Sequence, residues 1–218
     1  MSAKGRKIIL TIVAVVVVVG ALVGAWIYHQ SQLYLSTDDA YIDGREIVVS
    51  ASASGQLENW SGHEGATFQQ GSTVGQIEAR TGDATSTVPI PIPANATIVQ
   101  NDAVDGEFVS VGTPLAYAYN MNDLWVTANV KEKLIHTFAV GAPVDITVDA
   151  YPGVVLHGKV VRIGLATANT FSLLPTESTN ANFTKVQQVV PVKIEMDGYQ
   201  GIGLEPGLSV EVRIHKQH

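Results

Sequence analysis

The sequence predicts an all-β part outside a membrane, behind a single N-terminal transmembrane helix, and three observations carry that prediction. Residues 8–28 hold no charged side chain. Beyond residue 30 no stretch sustains helical periodicity for more than about two turns, while short runs rich in Val, Ile and Thr, punctuated by Gly, Pro, Asn and Asp, recur throughout. The stretch 64-EGATFQQGSTVGQI-77 also returns as 105-DGEFVSVGTPLAYA-118, an offset of 105 minus 64, or 41, that does not drift.

The first element is a cytoplasmic stub, residues 1–7, with Lys4, Arg6 and Lys7. The span follows at residues 8–28: 21 residues at about 1.5 Å each give roughly 32 Å of helix, close to the roughly 30 Å hydrocarbon core of a bilayer. Val15 to Val19 would favour a strand in water, but in lipid every backbone polar group must be satisfied within the segment, which forces helix. No Lys or Arg occurs in the sixteen residues after Tyr28, so the basic flank places the N-terminus inside and residues 29–218 outside. Trp26 and Tyr28 suit interfacial anchoring. The competing reading is a cleaved secretion signal with small residues at Ala21 to Ala25; its apolar region would be only about 7 to 15 residues long, shorter than this run.

Residues 29–45 read as a linker. Candidate strands then lie at 46–51, 55–59, 73–79, 96–100, 114–119, 125–130, 144–148, 154–163, 185–196 and 208–214, with one short helix at 132–138 whose Leu134, Ile135 and Phe138 share a face. The repeat defines halves at 47–77 and 88–118 within a domain at 46–120, joined by the linker 79-ARTGDATST-87; a second domain covers 121–215. Two copies of about thirty residues are too few for a solenoid but suit a closed pair covering each other's apolar face. Gly65, Gly71, Gly106 and Gly112 fall where tight turns need positive φ. The second half opens with 88-VPIPIP-93, whose alternating prolines remove N–H donors from one side and place the strand at an edge or seam.

Composition narrows the function classes. Removing the three basic residues of the stub leaves 13 minus 3, or 10, against 20 acids, a net charge near minus ten outside the membrane. Phosphate binding needs clustered Lys and Arg, so nucleic acid is excluded as a partner. With no cysteine there is neither a disulfide framework nor a thiolate metal site. His29, His63, His136, His157, His215 and His218 lack the short ligand spacing of a zinc site. Asp38-Asp39 and Asp102 with Asp105 lack the glycine-centred acidic loop of calcium sites and read as turn residues accepting backbone hydrogen bonds. The string 201-GIGLEPG-207 precedes a strand, so no helix N-terminus is available for phosphate. There is no G-x-S-x-G elbow. Asn95 and Asn182 match short glycosylation patterns that arise by chance, and Trp60 and Trp125 read as core. No catalytic, cofactor-binding or metal-ligating residue is assigned, and the chain is not read as an enzyme.

Several segments in order, 37-TDDAYIDG-44, 128-ANVKEKLIHTFAVGAPVDITVDAYPG-153, 158-GKVVRIG-164, 171-FSLLPTE-177, 185-KVQQVVPVKIEMDG-198 and 204-LEPGLSVEVRI-214, resemble the HlyD/EmrA-type membrane fusion proteins, adaptor subunits of efflux and secretion pumps. FSLLP before a Val-rich strand points to the EmrA-like branch. The resemblance implies that the repeat is the two halves of a lipoyl-like (biotinyl-like) β-domain and that the second domain is a β-barrel with the short helix over one mouth. A true lipoyl carrier presents a lysine between its halves; here the linker offers Arg80 and no lysine, so no cofactor is attached. Family members commonly insert a long helical hairpin at this point. Nine residues without a heptad cannot form one, and contact with an outer-membrane channel becomes doubtful. The implied function is a non-catalytic, single-pass adaptor. It would partner an integral membrane exporter of the major facilitator type or, alternatively, an ABC exporter, and would form a homo-oligomer. The reading from a different class is a transporter-independent extracytoplasmic binding module.

Overall fold

Period-two burial organises the protein, whose computed structural model describes residues 15–25, 33–81, 84–166 and 188–216. The chain divides into two units. One comprises Tyr41–Thr127 with Tyr199–Ser209, and the other draws on Ala128–Gly198, Val210–His218 and the chain up to Ala40. After β1 (Tyr34–Thr37), the strands of the repeat-bearing unit are β2 (Ala40–Ser50), β3 (Gly55–Glu58), β4 (Thr67–Phe68), β5 (Thr73–Thr81), β6 (Ala84–Pro91), β7 (Ala96–Asn101), β8 (Phe108–Val109) and β9 (Pro114–Lys131).

They form two sheets, ordered β6-β5-β3-β8 and β2-β9-β7-β4. Each sheet mixes the halves: β3 and β5 of the first half are flanked by β6 and β8 of the second, while β7 and β9 of the second are flanked by β2 and β4 of the first. The offset of 41 carries one sheet onto the other. Leu57 pairs with Ile77 as Ile98 pairs with Ala118, and Gln56 pairs with Phe108 as Thr97 pairs with Thr67. The turn bonds repeat in the same way. Gly65 N–H donates to Ile98 O at 2.9 Å and Gly106 N–H to Leu57 O at 2.7 Å; Gly71 donates to Ile92 O at 2.8 Å and Gly112 to Ala51 O at 2.9 Å. All four glycines have φ between 80° and 86°, as the turns require.

The halves share one core, in which Val49 and Ile90, Leu57 and Ile98, and Val74 and Leu115 occupy equivalent buried places. Fully burying such a side chain contributes roughly 1.5–3 kcal/mol, against about 0.5–1.5 kcal/mol net for a hydrogen bond. Burial therefore supplies most of the stabilisation. The backbone bonds select the register, because an orphaned buried donor or acceptor costs about 1–3 kcal/mol.

β6 is an edge strand, with Ile90 buried between its two prolines and Ile92 buried just beyond its end. The expected linker 79–87 is corrected: β5 continues to Thr81 and β6 begins at Ala84, these two residues pair, and only Gly82-Asp83 lies between them. Thr81, Thr85 and Thr87 favour extended backbone. The linker read at 29–45 likewise contains β1 and the start of β2. Strands expected separately at 114–119 and 125–130 are one, β9, because the Asn122 N–H is satisfied locally by Asn120 Oδ1 at 3.1 Å and the Asn-Asp pair makes no turn.

In the other unit, β10 (Pro143–Val148), β11 (Val155–Ile163), β12 (Val189–Met196) and β13 (Val210–His215) give the order β1-β13-β10-β11-β12, continuing to β9. Val144, Ile146 and Val148 on β10 and Val210, Val212 and Ile214 on β13 all point inward. Asn129 on β9 bonds back to the end of β1: its N–H donates to Asp39 O at 2.7 Å and its O accepts from Thr37 Oγ1 at 3.2 Å, which closes the sheet into a barrel. The helix expected at 132–138 is a 3₁₀ helix, Glu132–Thr137, with Phe138 buried beyond it. Six residues are too few to nucleate an α-helix on their own. Residues 185–187 of the strand expected at 185–196 lie outside the described residues.

Residues 15–25 are α-helical, with their valines and Leu22 exposed. Among the described residues no helix is long and apolar enough to cross a membrane; the ends of the expected span 8–28 lie outside them.

Shared strands make the halves one cooperative unit. Ile98→Ala is expected to cost about 2–5 kcal/mol, as is Leu57→Ala. Each substitution should lower hydrogen-exchange protection in both halves; a loss confined to the mutated half would contradict the strand exchange. In the barrel, a Cβ on Gly158 would lie 2.3 Å from Glu195 O of the neighbouring strand. Gly158→Ala should therefore cost about 1–3 kcal/mol or more in urea unfolding, whereas Gly198→Ala, with nothing within 4 Å, should stay within about 0.5 kcal/mol.

Candidate interaction surfaces

Within the repeat-bearing unit, the start of β2, the first half's turn at Glu64-Gly65, strands β7 and β9, and the loop ending at Gly207 enclose an open cleft of about 650 Å³. The loop is tied to β2 by Gly207 N–H donating to Ile42 O at 2.7 Å and Ile42 N–H donating to Leu208 O at 2.8 Å. Gly207 adopts φ 90°, so the string 201–207 is a turn preceding a strand, as expected. Ile42 and Ile98 floor the cleft, while Tyr41, Tyr119 and Met121 with the carboxylates of Asp43, Glu64 and Glu205 line it. Asp43 is held in place, accepting from Thr127 Oγ1 and from Gly44 N–H, each at 2.8 Å.

Tyr119 donates to Glu46 Oε2 at 3.3 Å. Desolvation first, then the negative charge of Glu46, the hydrogen bond to it and the charge of Asp43 push the phenol above its usual pKa of 10.0. On the other half, Glu58 is likewise raised, by desolvation and then by a hydrogen bond with Glu78 and the charges of Glu78 and Asp105, with Arg80 opposing. Negative charge therefore crowds both sides of this unit, where 2 basic residues, Arg45 and Arg80, meet 11 acidic ones for a net charge of 2 minus 11, or −9.

The residues weighed in the sequence take varied places. Asp105 Oδ1 accepts Trp60 N–H at 2.8 Å, and Asp102 accepts from Gln100 Nε2 at 2.9 Å. Asp39 accepts from Asn129 Nδ2 at 2.9 Å. Trp60 is half-buried against the core with Nε1 donating to Asn101 Oδ1 at 3.0 Å, and Trp125 Nε1 donates to Thr127 Oγ1 at 3.2 Å. Asn95 Oδ1 accepts from Gln70 N–H at 2.7 Å. His63 and His136 are exposed, whereas His29, His218 and Asn182 lie outside the described residues.

One cluster escaped sequence reasoning. His157 Nδ1 and His215 Nε2 lie 3.0 and 3.2 Å from the two oxygens of Asp145, with Tyr34 edge-on to His215. Alternation marks each as facing outward, but only the pairing of β10 with β11 and β13 brings residues 145, 157 and 215 together. The His157 pair is exposed and the His215 pair only partly buried, so each is worth about 1 kcal/mol at most. Among the described residues no group of three or more His, Cys, Asp and Glu is placed to hold a metal ion.

The described strands give one unit of two interlocked half-motifs and one barrel unit, β1-β13-β10-β11-β12-β9, and comparisons with known proteins identify both. Residues 46–120 match the YhbJ barrel-sandwich hybrid domain and residues 123–218 the CusB-like beta-barrel domain. YhbJ of Bacillus subtilis, named as an efflux system component, is 37% identical over 212 residues, covering 97% of this chain and 93% of that protein. The multidrug export protein EmrA of Escherichia coli is 36% identical over 126 residues, 56% of this chain but only 32% of that longer protein. The crystal structure of MacA from Actinobacillus actinomycetemcomitans shares the fold with a TM-score of 0.66 at 12% identity, over 85% of this chain and 80% of that one. The chain belongs to the EmrA-type membrane fusion proteins, in a short form without the helical hairpin. These are non-enzymatic adaptor proteins of efflux systems, which work with membrane transporters.

The raised phenol of Tyr119 fixes a sign. The folded chain holds this proton more tightly than the unfolded one, so the contribution is complete below about pH 10 and is lost as pH rises through the folded value. Tyr119→Phe should remove a tyrosine that ionises above pH 10 from an ultraviolet phenolate titration and lessen the loss of stability above pH 10; a Tyr119 that ionises at or below 10 would contradict this.

Proposed function

We propose that the chain is a membrane-anchored adaptor of a multidrug efflux system, held by the apolar segment 8–28 with its N-terminus in the cytoplasm and its β-domains outside, and that it partners an exporter of the major facilitator type. The observation that carries this reading is the pair of adjoining family matches, barrel-sandwich hybrid then β-barrel, on a chain whose near full-length relative is named as an efflux system component. The match to EmrA over 56% of this chain, a protein named for multidrug export, supports the substrate class.

The two-residue connection between β5 and β6 bears on the mode of action. Relatives that bridge to an outer-membrane channel do so through a hairpin inserted at this point. An adaptor without it acts at the exporter, in a host with one membrane or without that contact, and its energetics are those of interfaces between copies and with the transporter.

Purification of the full chain in mild detergent should bring down a multi-helix transporter, and deletion of its gene should raise sensitivity to exported drugs. A chain that purifies alone from a deletion-insensitive host would overturn the adaptor reading in favour of a binding module. Recovery of an ATP-hydrolysing exporter would replace the assigned transporter type.

A further inference from the structure

The two halves provide an internal control. Positions offset by 41 have the same strand pairing and the same turn bonds, so the backbone makes the same demands on both. At the outer positions of the first half's tip stand His63, Thr67 and Gln70, all exposed and polar. Their equivalents, residues 104, 108 and 111, are Val104, Phe108 and Val111, exposed by 68%, 73% and 65%. The buried positions agree in kind, with Phe68 packed against the core and Val109 within it. The fold is therefore satisfied by polar residues at these outer places, and the apolar surface of the second tip is surplus to folding. Exposed apolar patches of this sort mark interaction sites.

The rim differs as well. Around the second tip stand the exposed carboxylates of Asp102, Asp105 and Glu107, where the first half has Ser61, Glu64 and Ala66. No Lys or Arg occurs between Arg80 and Lys131. The tip is also well built: Glu107 N–H donates to Val104 O at 3.1 Å, Gln56 Nε2 to Gly106 O at 3.1 Å, and Val111 N–H to Ser54 Oγ at 3.0 Å. Phe108 lies on β8, an edge strand.

We propose that this tip, with exposed Val104, Phe108 and Val111 and the neighbouring exposed carboxylates of Asp102, Asp105 and Glu107, docks a partner-protein segment presenting aliphatic side chains flanked by Lys or Arg. Charge selects the occupant. The same unit on a second copy carries the same net −9, so like charge opposes tip-to-tip pairing of two copies, whereas a cationic segment gains both burial and Coulomb attraction. The inference rests on the adaptor reading in that an adaptor needs a protein partner, and it names the chemistry that such a partner would offer.

The test uses the full chain in detergent and a short fluorescent peptide of alternating Leu and Lys, with Leu→Ser and Lys→Glu peptides as controls. The first half's residues are grafted onto the second as Val104→His, Phe108→Thr and Val111→Gln, which the fold tolerates at the equivalent positions; an unchanged circular dichroism spectrum verifies this. Fluorescence anisotropy should show the graft weakening Leu-Lys binding by about tenfold or more, as loss of an aromatic anchor does. Both control peptides should bind weakly to either protein, and salt should weaken the wild-type interaction. The reverse graft, His63→Val with Thr67→Phe and Gln70→Val, should strengthen binding. Equal affinity of wild type and graft would overturn the proposal. A graft that instead reduces the oligomer size in sedimentation would also overturn it, naming a second copy as the occupant. Co-purification of the exporter is read separately: its failure with peptide binding intact removes the adaptor reading and leaves the docking tip standing.

Discussion

The exchange of strands between two half-motifs is the constraint on which the repeat-bearing unit depends. Neither half can complete a sheet alone: β3 needs β8, and β7 needs β4, from the other half. Isolated hairpins are marginal in water because they bury too little apolar surface. Interlocking turns each half's exposed face into a shared core, with Leu57 and Ile98 in equivalent buried places. The glycine turns are the joints of this exchange, since their N–H groups reach the carbonyls of Leu57, Ile98, Ala51 and Ile92.

An adaptor needs rigidity with surface to spare, and the interlocked design supplies both. The backbone bonds settle the fold twice over, leaving outer positions of the tips free to differ. The first half's tip is polar and the second's is apolar and acidic, although the same bonds hold both. The cleft near Tyr119 is a second asymmetric feature: the loop tied to Ile42 covers one half's turn, so pseudo-symmetry in the scaffold does not extend to the surface. Charge follows the same division, with nine net negative charges gathered on one unit.

The barrel unit rests on simpler physics. Strict alternation on β10 and β13 buries one face, and Asn129 closes the sheet onto Asp39 and Thr37. Close approach fixes one further position, because Gly158 lies against the Glu195 carbonyl where no side chain fits. The Asp145, His157 and His215 cluster on the outer face adds little stability, since solvent screens it.

Local chemistry was legible in the sequence wherever one residue type admits a single conformation. The four turn glycines, the alternation of β10, β11 and β13 and the edge position of the proline-bearing strand all follow from sterics and period-two burial. The repeat made two equivalent halves visible, and the family resemblance supplied their lipoyl-like identity. Pairing was decided only in three dimensions. That β3 joins β8, that β9 runs unbroken past Asn122-Asp123, that Thr81 pairs with Ala84 and that Asp145 meets His157 and His215 are matters of register. A strand's own side chains state which face is buried. Which neighbour takes its backbone groups depends on the whole sheet, because every extended segment offers the same donors and acceptors.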